Sequence, residues 1–133
     1  MKIALCGSMT FAKQMIEAKK ILESSGHTVF VPLNAEKYAD GTVAIENKWE
    51  KIEHDVIRNW YKVIESSDAV LVLNYAKNNI ENYVGGNSLI EMAFAHVLLK
   101  KIFLLHPIPQ MNYSDEIQSF NPVILLGELS GIK

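Results

Sequence analysis

The chain has 133 residues, of which 49% are hydrophobic and 21% charged, with a formal net charge of −2. This suits one globular domain over residues 1–133 with a modest core, and it excludes the basic stripe of a protein that binds a nucleic-acid polymer. No apolar run approaches the roughly 20 residues that a membrane helix needs. The single cysteine, Cys6, excludes an internal disulfide framework and any cysteine-based metal cluster. The apolar stretch before Gly7 is too short for a secretory signal, so the expected setting is a reducing cytoplasm, away from the membrane.

In chain order, "KIALC" (residues 2–6) reads as a buried strand ending at Gly7. Phe11, Met15, Ala18, Ile21 and Leu22 then fall at helical spacing over residues 11–25, with Gly26 placed to stop the helix. "HTVFVP" is a second strand closed by Pro32, and residues 33–44 carry the Asn, Asp and Gly of a loop. Over residues 45–66 the apolar positions Ile45, Trp49, Ile52, Val56, Trp60, Val63 and Ile64 predict one long amphipathic helix.

"AVLVL" (residues 69–73) is apolar without alternation, as a central strand covered on both faces must be. A polar loop over residues 74–87 leads to a helix over about 88–99, and "KIFLL" supplies a fourth strand. "HPIPQMNYS" reads as a rigid loop, and residues 123–126 as a last short strand.

Strand alternating with helix predicts an α/β fold: a flavodoxin-like, Rossmann-like three-layer sandwich around a parallel sheet of four to five strands. Ligands of such sheets bind beyond the carboxyl ends of the strands where the strand order reverses. With the order 2-1-3-4-5 that crevice lies between the first and third strands, and the loops "CGSMT" and "NYAKNNIENYVGGNSL" converge on it. Gly7 and Ser8 permit backbone amides to approach an anion there. The loop lacks both the GxGxxG and the GK[ST] patterns, so neither a dinucleotide nor an ordinary NTPase site is indicated.

Two readings of Glu91 are open at this point. With Asn87 or Ser88 as N-cap, Ser88 and Glu91 spell a capping box. The same carboxylate near a helix N-terminus is favoured in its ionised form, as a nucleophile requires. The helix "LIEMAFAHVLL" is apolar almost all round, so it is deeply buried or faces another subunit.

"CGSM" after the first strand, "SSDAVLVLN" into the third, and "GGNSLIEMAFAHVLLKKIFLL" together resemble the nucleoside 2-deoxyribosyltransferase superfamily. The likeness covers most of residues 1–107, and its first loop is most similar to the (deoxy)nucleoside 5′-monophosphate N-glycosidases. The resemblance implies a flavodoxin-like fold, a homodimer or larger homo-oligomer, and Glu91 as the nucleophile that opens the helix after the third strand. It further implies substrate contacts from Cys6, from Gly7, Ser8 and Met9 as part of a phosphate cradle, and from Gly86, Asn87 and Ser88. Asn112 or Ser114 would reach a neighbouring subunit's site. No cofactor and no metal is implied.

Two positions depart from the family's pattern. Where its members place an acid in the helix before the third strand, this chain has Trp60, which cannot transfer a proton; Asp55 is the acid next at hand. Where they place Ser or Asp six residues before the nucleophile, Gly85 stands. General acid help is worth about 10²–10⁴-fold, so the departure weighs on activity.

The histidines at positions 27, 54, 96 and 106 lack metal-site spacing. Trp49 and Trp60 fit the core stripe, Tyr75 and Tyr83 are placed to stack on a base, and Cys6 reads as a small buried hydrophobe. The sequence thus predicts an N-glycosidase or deoxyribosyltransferase acting on a nucleoside or its monophosphate. The second reading is a non-catalytic nucleotide-binding or sensing module in which Glu91 only grips a ribose hydroxyl.

Overall fold

The computed structural model of the protein describes residues 1–41 and 55–133. Five strands, β1 (Lys2–Gly7), β2 (Thr28–Phe30), β3 (Ala69–Leu73), β4 (Lys101–Leu104) and β5 (Val123–Ile124), form one parallel sheet in the order β2-β1-β3-β4-β5. The helices are α1 (Ala12–Ser24), α2 (Ala35–Ala39), α3 (Val56–Glu65), α4 (Gly86–Val97) and α5 (Ser114–Ser119). This is the α/β flavodoxin-like, Rossmann-like sandwich, and the strand order reverses between β1 and β3. No helix among the described residues is long and apolar enough to cross a membrane.

Alternation along β1 sorts the core into two layers. Ile3 and Leu5 join Met15, Ala18 and Leu22 of α1 on one face. Ala4 and Cys6 join Ile64 of α3, Met92 and Ala95 of α4, and Ile117 of α5 on the other. All five residues of β3 are buried, which explains its unbroken apolar run. Ile21, expected on the buried stripe of α1, is 51% exposed. Gly26 ends α1 at φ +97, with its own amide on the Glu23 carbonyl and that of His27 on the Leu22 carbonyl, both 3.1 Å. This is the Schellman stop that the glycine predicted.

Several boundaries differ from the sequence reading. The expected loop over 33–44 contains α2, and α5 starts at the last residue of the loop expected over 106–114 and runs through residues for which the sequence predicts no element, with Ile117 fully buried. Of the long helix expected over 45–66, the structure gives Val56–Glu65; Ile45, Trp49 and Ile52 lie outside the described residues. β5 stops at Ile124 rather than Leu126.

The start of α4 matters most. Its N-cap is Gly85 in an extended conformation (φ −80, ψ 174), without a side-chain cap. Neither Asn87 nor Ser88 is the cap, and the capping box does not form. Ser88 is instead the third helical residue and 2% exposed, while Glu91 stands one turn deeper than expected. The helix-end field falls off within the first turn, so the macrodipole acts on Glu91 less than the sequence implied.

Candidate functional site

The turn after β1 brings backbone against backbone. Gly7 has φ +153, and a Cβ there would meet the Leu73 carbonyl oxygen at 3.0 Å and the Met15 side chain at 3.2 Å. Only glycine lets β1 and β3 end this close together, at the point where the crevice opens. Next to it, Ser8 caps the short 3₁₀ turn Met9–Phe11 by accepting from the Thr10 amide at 3.2 Å.

Beyond the sheet edge lies a cavity of about 300 Å³. Gly7 and Met9 line it from the first loop, Val31, Pro32 and Leu33 from the end of β2, and Val56, Ile57, Asn59, Trp60 and Val63 from α3. Asn87, Ile90 and Glu91 close it from α4. The wall is mostly apolar, with two amides and a single ionisable side chain, Glu91, among the described residues. Such a wall suits a small organic ligand that carries a flat apolar part and a few hydrogen-bonding groups.

Cys6 lies under this site, at 0% exposure and off the cavity wall. The pleat of β1 sends its side chain to the α3–α4 face, where Glu91 and Trp60 are its neighbours. Burial, and then the Glu91 charge, push the Cys6 thiol well above its ordinary pKa. The Trp60 indole N–H also bears on the sulfur and slightly favours its thiolate, yet it meets no hydrogen-bond geometry and its nitrogen is buried. Burial dominates, so Cys6 is a neutral thiol.

The expected site residues therefore divide. Gly7, Met9, Asn87 and Glu91 share the cavity; Ser8 stands beside it. Gly86 is exposed and Ser88 buried, and neither lines the cavity. Asp55 adopts a left-handed backbone (φ 48) ahead of α3 and pairs with Arg58, off the cavity wall. Ser114 spends its hydroxyl locally, accepting from the Met111 amide at 2.7 Å, while Asn112 is exposed. Tyr75 packs edge-on against Phe11 (5.2 Å) and His106 (5.4 Å) rather than lining the cavity.

Three contributors escaped the sequence reading. Trp60, read as core, does pack against the α3–α4 core, and it also forms cavity wall. Asn74, fully buried, accepts from the His106 amide at 2.8 Å and donates to the carbonyls of Asn82, His106 and Pro107 at 3.1–3.2 Å. It thereby ties the loop after β3 to the loop after β4. Lys77 crosses from the β3 loop to donate to the Ser8 hydroxyl at 2.7 Å.

No family model matches the chain, and no curated protein is similar enough to count as a relative.

Proposed function

We propose that the protein is an N-glycosidase that cleaves the base–sugar bond of a (deoxy)nucleoside 5′-monophosphate, or moves a deoxyribosyl group between bases, with Glu91 as nucleophile. One observation carries this reading: Glu91 is the one ionisable side chain among the described residues that line the crevice cavity. A carboxylate oxygen attacks the anomeric carbon while the C1′–N bond breaks and its electron pair leaves with the base. Water or an acceptor base then displaces the carboxylate from the resulting ester, and the sugar's configuration is retained. The apolar wall supports this chemistry, because a carboxylate stabilises a cationic sugar more strongly where water is excluded. Among the described residues no second acid lines the cavity, which favours bases that leave readily.

That same feature favours the second reading, a nucleotide-binding or sensing module without turnover. In either case the protein acts in the cytoplasm as a homodimer or larger assembly. The outward-facing Val97 (77% exposed) and Leu99 (92%) at the end of α4 support association.

Incubation with ribo- and deoxyribonucleosides and their 5′-monophosphates, followed by chromatography, tests the choice. Free base is the expected product. Nucleotides that raise the melting temperature without releasing any base would establish the binding module instead.

A further inference from the structure

The wall around Glu91 decides what kind of glycosidic bond this carboxylate can break. Loss of a neutral base without a proton makes two new charges, a cation on the sugar and an anion on the base. An apolar cavity solvates neither, and separating unit charges there costs far more than in water. A base that is already cationic leaves as a neutral molecule, so one positive charge merely moves from base to sugar. The apolar wall of Val31, Pro32, Leu33, Val56 and Val63 penalises the first course and not the second.

A proton donor would remove that difference, and each described candidate fails as one. Asn59 and Asn87, the two amides of the wall, hold no titratable proton. Cys6 carries a proton but is 0% exposed and off the wall. Asp55 is also off the wall and is paired with Arg58. Trp60 lines the cavity, yet its Nε1 is buried, so the indole meets a ligand with carbon surface and not with its N–H.

The same residues favour a cation positively. Trp60 on α3 and Glu91 on α4 line one cavity, and the ring face of an indole and a carboxylate both attract positive charge. No lysine, arginine or histidine stands among the described lining residues to oppose it.

We propose that the substrate's base is a cation at its glycosidic nitrogen, so that the protein acts on a pyridinium nucleoside or nucleotide. The inference rests on the glycosidase reading above and adds to it the class of leaving group. A Glu91 carboxylate oxygen bonds to the anomeric carbon as the C1′–N bond breaks. The electron pair of that bond goes to the ring nitrogen, which neutralises the pyridinium, and no proton is transferred. Water then bonds to the anomeric carbon, releasing the carboxylate and giving a proton to solvent.

Nicotinamide riboside and nicotinamide mononucleotide, whose bases are pyridinium cations, test this beside adenosine, inosine, uridine and their 5′-monophosphates, with released base measured by chromatography. Nicotinamide should be released with a kcat/KM roughly 10²-fold or more above that of any neutral base, the share that a general acid ordinarily supplies. Its kcat should hold level from about pH 7 to about pH 9, since no acid has to stay protonated. Trp60→Leu should raise KM for the pyridinium substrates roughly threefold to thirtyfold, and Trp60→Phe, which keeps an aromatic face, by less. Neutral nucleotides cleaved as fast as the pyridinium ones would overturn the cationic class and leave the glycosidase reading in place. A kcat for nicotinamide release that falls as pH rises would do the same, as would a KM that neither Trp60 variant changes. No free base from any substrate would remove both readings.

Discussion

Glu91 in the second turn of α4 and Cys6 near the carboxyl end of β1 are neighbours beneath the crevice, and after burial the Glu91 charge helps to hold the Cys6 thiol above its ordinary pKa. This gives Cys6, which does not line the cavity, a place beside the site.

Cys6 provides the first prediction. Its pKa is raised in the folded state, chiefly by burial, whereas the unfolded thiol titrates near about 8.5. Above that pH the unfolded chain sheds a proton that the folded chain keeps. Stability linked to Cys6 is therefore complete below about pH 8.5 and declines as pH rises. Tyr75 and Tyr113, also raised by burial, begin to act in the same sense only above about pH 10. Denaturant unfolding between these limits should show the decline in wild type and a flatter profile in Cys6→Ala. A thiol reagent should label Cys6 only on unfolding; rapid labelling of the folded protein would contradict its burial.

Asn74 provides the second. Replacing it with Ala leaves the His106 amide and three carbonyls without their buried partner, at a cost on the order of 3 kcal/mol. The shift in urea midpoint measures it. A change under roughly 0.5 kcal/mol, within the range of ordinary surface substitutions, would show that water replaces the amide freely.

Leu99 provides the third. α4 ends in a Schellman arrangement, with the Lys100 amide on the Ala95 carbonyl at 2.8 Å and the Leu99 amide on that of His96 at 3.1 Å. The left-handed position is filled by Leu99 (φ 59), which is 92% exposed. Glycine removes the Cβ strain and loses almost no packing within the chain, so Leu99→Gly should stabilise the protein by about 0.5–1 kcal/mol. A lower melting temperature at a concentration where the protein is monomeric would contradict this.

The strands were legible where burial on both faces wrote them: "AVLVL" is β3 residue for residue. The switch point between β1 and β3 followed from the alternation of elements, and with it the convergence of Gly7, Met9, Asn87 and Glu91. The start of α4 was misread because Ser88 and Glu91 match a capping pattern that is purely local, whereas packing buries Ser88 and leaves Gly85 as cap. The β2 side of the cavity was not legible at all. Val31, Pro32 and Leu33 arrive there only because β2 pairs with β1 in register, Thr28 opposite Lys2. Lys77 did leave a trace, since Asn78-Asn79 is a pair suited to a primed turn, but nothing in the sequence tells which hydroxyl the lysine meets.

Glu91→Gln in the base-release assay tests the central claim most directly. The substitution keeps the size of the side chain and removes its charge. Wild type should release free base from at least one nucleoside 5′-monophosphate, and the folded Gln variant should lose that activity by about 10³-fold or more. A folded Glu91→Gln protein that releases base at the wild-type rate would contradict the account.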